Sequence, residues 1–197
     1  LQTINNAMSA TASRTFNAAS GQLVLGGNIT DAAGLTLNAT NKITLAGTNT
    51  IATTTTGTNT FFALLVNAGA GGVDITGSTT VGTAGAGGNS FNGAFAMLGT
   101  SAVTLQSGGS LTVNGSGTTA TTIPNSIVGQ NTVGTSTVLV NGGSLTIGAS
   151  TGFILGNGNN NSAYYIAFDY TADSTTLVID AAVPPGGDGS YHMYAMS

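Results

Sequence analysis

Charge is what this sequence has least of. Among 197 residues the charged side chains are Arg14, Lys42 and six Asp, and Glu does not occur. Two cations cannot neutralise the row of phosphates that duplex binding requires, so nucleic acid is not an expected partner. The same shortage excludes a polybasic membrane-surface protein. Cysteine is absent, which removes disulfide scaffolds and Cys-based zinc sites. Good helix formers are scarce while Gly, Thr, Asn and Ser make up about half the chain, which argues against a helical bundle. The longest apolar run, residues 61–66, is far too short to span a bilayer, and no membrane insertion is expected. Charge-driven disorder is excluded as well, because hydrophobic residues reach 41% and the net charge is only -4.

What is present is a short strand unit of the form apolar-Thr-apolar, followed by a small polar turn. Leu35-Thr36-Leu37, Ile43-Thr44-Leu45, Val103-Thr104-Leu105, Leu111-Thr112-Val113 and Leu145-Thr146-Ile147 are instances, and Val73-Asp74-Ile75 and Val138-Leu139-Val140 belong with them. Alternation with period two sends the aliphatics to one face and the Thr to the other. The turns between units use Gly and Asn, as at Gly26-Gly27-Asn28 and Asn141-Gly142-Gly143, residues that accept tight backbone geometry.

Leu35, Ile43 and Ile51 fall eight apart, and residues 107–113 are echoed at 141–147, an offset of 34. Short strands at such spacing predict an all-β fold. A parallel β-solenoid (β-helix) is the favoured architecture, with a β-sandwich of jelly-roll or pilin-like type as the alternative. A rung of about 20 residues would place about seven coils over the middle of the chain. Three regions follow: residues 1–20 as an N-terminal cap or donor segment, 21–162 as the solenoid body, and 163–197 as a Tyr-rich C-terminal cap, hairpin or interface segment. Leu1, Ile4 and Met8 would line either a short amphipathic helix or a strand. Residues 57–100, richer in Gly and Phe, read as bulkier core or as an excursion from the coil. In the tail, strands are expected over residues 164–171, 176–181 and 190–195, with a turn at residues 184–187.

The units Gly34-Leu35-Thr36-Leu37-Asn38, Ile43 to Thr50 and Gly143-Ser144-Leu145-Thr146-Ile147 resemble the repeats of bacterial autotransporter passenger domains and haemagglutinin-like surface proteins. The resemblance covers residues 20–160. It implies a right-handed parallel β-helix displayed outside the cell, often in adhesion, and it brings no catalytic motif to this chain.

Chemistry-bearing clusters are thin. The single His, His192, lies six residues from the end, and one imidazole builds neither a nucleophilic triad nor a transition-metal site. Asp169, Asp173 and Asp188 offer oxygens to calcium, but turn formation explains a lone Asp equally well. Polysaccharide cleavage needs two carboxylates in one groove, whereas the six Asp here are scattered. No catalytic activity and no cofactor are therefore expected. Sequons place possible glycosylation at Asn28, Asn38, Asn114 and Asn160. Ranks of Thr on an uncharged sheet would also suit an ice plane. Ice binders, however, show two outward Thr per strand at a steady period, and here most strands offer one while the period drifts.

Self-association is the leading expectation. Sheet edges are ordinarily guarded by charge or Pro, and this chain has one Lys and three Pro. The assembly candidates are Leu1, Ile4 and Met8 at one end and Tyr164, Tyr165, Tyr191 and Tyr194 at the other. The Tyr cluster serves either an interface or a private cap. The expected function is a structural subunit of an extracellular filament, fibre or surface layer, with copies of itself as partner. The alternatives are an adhesin segment that binds glycan or a solid such as ice and, last, a polysaccharide-active enzyme. The chain opens on Leu1, which leads to the expectation that an upstream segment was removed. A Cys-free chain with few sites for trypsin-like proteases suits a secreted or cell-surface location.

Overall fold

Alternation of aliphatic and Thr residues gives each short strand one face to bury and one to leave wet. The computed structural model describes residues 1–53, 62–68, 71–83, 93–98, 101–114, 125–130, 135–155, 165–170, 176–181 and 195–196. Among the described residues the regular structure is all strand, with no helix. Every strand pairing among them is parallel. The chain visits three ladders in turn. The first holds β1 (Gln2–Ile4), β4 (Leu23–Leu25), β7 (Ile43–Leu45), β10 (Val73–Ile75), β13 (Ala102–Leu105), β16 (Thr135–Val140), β18 (Tyr165–Tyr170) and β20 (Ala195–Met196). The second holds β2 (Met8–Ala10), β5 (Ile29–Asp31), β8 (Asn49–Thr53), β11 (Ser78–Thr83), β14 (Ser110–Asn114), the first half of β17 (Ser144–Leu155) and β19 (Thr176–Ala181). The third holds β3 (Arg14–Asn17), β6 (Leu35–Asn38), β9 (Phe62–Asn67), β12 (Gly93–Leu98), β15 (Asn125–Gln130) and the second half of β17. Through β17 the second and third ladders join into one 12-stranded sheet.

Register aligns like with like. Leu25, Leu45, Ile75, Leu105 and Val140 form one column in the first ladder, and all five are buried. Leu35, Leu64 and Phe95, followed by Leu37, Val66 and Met97, do the same in the third. Burying each such side chain stabilises by about 1.5–3 kcal/mol, and slipping any strand by one residue would turn its aliphatics outward. Within the Phe-rich stretch β9 and β12 stack in the third ladder and bury Ala63, Leu64, Val66, Phe95 and Met97, while residues 57–61 and 84–92 lie outside the described residues.

The corner between the first and second ladders is built from a glycine in each successive turn of the pattern: Gly27, Gly47, Gly77, Gly109 and Gly143. A Cβ on Gly47 would strike the backbone of Gly27, one on Gly77 the carbonyls of Ala46 and Gly47, and one on Gly109 the carbonyl of Ile75. Consecutive turns approach too closely there for any side chain. Buried polar side chains satisfy backbone groups at this corner and at the one between the third and first ladders. Asn49 Oδ1 accepts from the Ile29 N–H at 3.2 Å while its Nδ2 donates to Gly47 O and to Thr79 Oγ1, both at 3.1 Å. Ser101 Oγ accepts from Ala68 N–H at 2.9 Å and donates to Val66 O at 3.2 Å.

Several expectations are corrected. Antiparallel jelly-roll pairing does not occur among the described residues. The first 17 residues form strands and no helix, because Ile4, Met8 and Phe16 pack against the core one per strand instead of along one helical stripe. The spacing of eight between Leu35, Ile43 and Ile51 is the step from ladder to ladder, since these residues lie on β6, β7 and β8. The step from turn to turn is 20 residues from Leu23 to Ile43, then 30 from Ile43 to Val73 and 35 from Val103 to Val138. Fewer turns therefore fit the middle of the chain than a uniform 20-residue repeat would give. The offset of 34 is a true turn, as Leu111 pairs with Leu145. In the tail, β18 pairs with β16 and β20, and β19 pairs with β17. These strands continue the ladders instead of folding into a hairpin. The residue 164–171 strand is observed as β18, β20 covers Ala195–Met196, and residues 184–187 and 190–194 lie outside the described residues.

Candidate functional site

Two surfaces stand out. One is the first turn of the pattern. Among the described residues β1, β2 and β3 each pair on one side only, with β4, β5 and β6. This layer carries one charged side chain, Arg14. Leu1 is 83% exposed, the one exposed large hydrophobic among the described residues. Ile4, Met8 and Phe16 cover the end of the core yet remain only half-buried. Leu1, Ile4 and Met8 are thus brought together at one end of the ladders. Tyr165 opens β18, opposite Thr135, and five strands separate β18 from β1 in the sheet order. Tyr165 therefore lies toward the end of the ladder opposite Leu1, Ile4 and Met8. Tyr164, Tyr191 and Tyr194 lie outside the described residues.

The other surface is the outward face of the second ladder. Thr30, Thr50, Thr80, Thr112 and Thr146 stand in register on consecutive strands. Two residues earlier, Ser78, Ser110 and Ser144 stand in register as well, and Thr48 extends that row on β8's side. Ser110 Oγ donates to Ser78 Oγ at 3.2 Å, and the Thr48 N–H donates to Asn28 Oδ1 at 2.9 Å. Four of these five strands therefore show two hydroxyls, Asn28 standing two residues before Thr30. The signal is present in the sequence as Thr48-x-Thr50, Ser78-x-Thr80, Ser110-x-Thr112 and Ser144-x-Thr146. It was hidden by reading Thr alone and by the changing turn length. The other faces are mixed: Val24, Thr44, Asp74, Thr104 and Leu139 on the first ladder, Thr15, Thr36 and Leu65 on the third.

Among the described residues Lys42, Asp74 and Asp31 are held by neighbouring groups. Lys42 Nζ reaches both carboxylate oxygens of Asp74 at 2.9 and 3.0 Å, a partly exposed pair on the first ladder. Asp31 is buried at the corner after β5, where Oδ1 accepts from the N–H groups of Ala33 (2.8 Å) and Gly34 (2.9 Å). Its Oδ2 is the one buried side-chain polar atom without a partner among the described residues. Among those residues no three His, Cys, Asp or Glu gather as metal ligands. Asp169 lies in β18, whereas Asp173, Asp188 and His192 lie outside the described residues. No helix among the described residues is long and apolar enough to cross a membrane. Of the sequons, Asn28 and Asn114 are exposed. Asn38 Nδ2, the atom a glycan would take, donates to Asn17 Oδ1 at 2.7 Å, and Asn160 lies outside the described residues. No family model, no curated protein and no solved structure matches this chain.

Proposed function

We propose that the three ladders close into a parallel β-solenoid, and that the chain is a non-catalytic structural module of an extracellular filament, fibre or surface layer. Its main partner is another copy of itself. The observation that carries this reading is the first turn: three strands that among the described residues pair on one side only, one charged side chain, and a half-covered apolar layer of Ile4, Met8 and Phe16. Such edges are templates for further parallel pairing, and an uncharged surface removes the repulsion that keeps proteins apart. A copy docking its last turn on this layer would make a head-to-tail contact, which propagates into a filament unless it closes into a ring. The Tyr-rich segment 163–197 would lie at that junction, where amphipathic aromatics suit an interface. The low charge and Cys-free composition support a secreted or cell-surface setting.

Electron microscopy and sedimentation across a concentration series test the proposal. The chain should polymerise, and Thr3→Lys with Thr15→Lys, which puts charge on two exposed edge positions, should leave a folded monomer. A monodisperse monomer at every concentration, or polymers indifferent to the Lys pair, would refute the reading.

A further inference from the structure

The outward face of the second ladder has a regularity that the other two lack. Its hydroxyls form a two-dimensional grid, repeating about every 4.8 Å from strand to strand and about every 6.6 Å along each strand. One column is Thr from Thr30 to Thr146, and the other is the Thr48–Ser144 row. Turn length varies from 20 to 35 residues, yet these positions hold register, so the drift in the sequence period does not reach this face. If Thr were merely the commonest outward residue, the first and third ladders would look the same. They carry Asp74, Val24, Leu139 and Leu65 instead.

A lone hydroxyl gains little by binding water, because liquid water offers it the same bond. An array gains only where its partner's oxygens are already fixed on a matching grid, since many weak contacts then form at the cost of one association. Ice is such a partner. The two repeats approximate the oxygen spacings on a prism face of hexagonal ice. From β5 to the first half of β17 the face is neutral, with no charged residue at its outward positions; beyond it β19 sets Val178 opposite Thr146 and ends the Thr column. It carries no outward aromatic there either, and ring stacking is the usual means of gripping a crystalline polysaccharide. Its side chains are constrained: Thr is stiff about χ1, and the Ser110–Ser78 hydrogen bond ties two hydroxyls of the second column. We propose that this face binds a prism plane of ice, with the Thr column supplying hydroxyls and methyls and the Ser row supplying hydroxyls.

Retention in slowly grown ice, together with crystal shaping, is the test. It uses the full chain carrying Thr3→Lys and Thr15→Lys, so the outcome does not depend on polymerisation. Neither of those residues lies on the second ladder. The protein should be incorporated into ice and should facet the crystals. Thr80→Tyr with Thr112→Tyr should reduce incorporation to that of an unrelated protein, with circular dichroism unchanged. Thr44→Tyr with Thr104→Tyr, the same change on the first ladder, should leave incorporation intact. Thr80→Ser with Thr112→Ser, which removes only methyls, should lower it if the bulkier pair fails to fold. Exclusion of the unsubstituted face from ice would overturn the proposal. So would equal loss from both Tyr pairs, or capture by microcrystalline cellulose in place of ice.

Discussion

Gly77→Ala probes the packing of one turn on the next more sharply than any core truncation. The added Cβ would collide with the carbonyl oxygens of Ala46 and Gly47, both backbone atoms of the preceding turn. Neither can rotate away as a side chain would, so the corner must open. Inserting a methyl into a close-packed site destabilises by about 1–3 kcal/mol. The smaller entropy of the unfolded alanine chain offsets about 0.4–1 kcal/mol of that. A net loss of about 1–2 kcal/mol follows from the two terms. Gly21→Ala is the matched control: a Cβ there meets nothing within 4 Å, so only the unfolded-chain term remains and stability should hold or rise by up to about 1 kcal/mol. Urea denaturation followed by far-ultraviolet circular dichroism gives both values, provided the two variants share the parent's slope. Equal stability of Gly77→Ala and Gly21→Ala would refute the stacked-glycine corner.

Asn49→Ala removes the acceptor for the Ile29 N–H and the donor to Thr79 Oγ1. The stranded buried groups should cost about 1–3 kcal/mol, read from the same denaturation curves. Asp31→Asn keeps Oδ1 as acceptor for Ala33 and Gly34 and puts an amide nitrogen in place of the buried, partnerless Oδ2. Asp31→Ala, which also removes the acceptor and strands two backbone N–H groups, should be less stable than Asp31→Asn in the same denaturation curves. Lys42→Gln breaks the pair with Asp74, but Lys42 is 40% exposed, so solvent screening limits the loss to about 1 kcal/mol or less. High salt should narrow the difference between Lys42→Gln and the parent.

Strand identity was legible because Thr between two aliphatics states its own orientation: Leu35-Thr36-Leu37 and Ile43-Thr44-Leu45 each bury the flanking residues and turn the Thr outward. The echo of residues 107–113 at 141–147 was legible for a similar reason, since ladder register forces Leu111 onto Leu145. Turn length was not, because a spacing of eight within one turn mimics a repeat, and residues 54–61, 84–92 and 115–124 add length between the second and third ladders. The inward Asn49 and Asp31 were also hidden. Polar residues at those positions read as surface until the backbone N–H groups they serve are in view. Gly77 and Gly109 looked like ordinary turn residues, and only the adjacent turn reveals that a Cβ is forbidden. The paired hydroxyl columns needed the register itself, because no fixed period aligns Thr50, Thr80, Thr112 and Thr146.

Consecutive turns stack in register, and a distance across the whole stack tests that directly. Because the chain has no native cysteine, spin labels can be placed at Thr30→Cys and Thr146→Cys alone, with labelled protein diluted in unlabelled. Four ladder steps separate these residues, so pulsed dipolar spectroscopy should give a narrow distribution near 19 Å. A broad distribution centred well beyond that distance would contradict the stacking and, with it, both proposed surfaces.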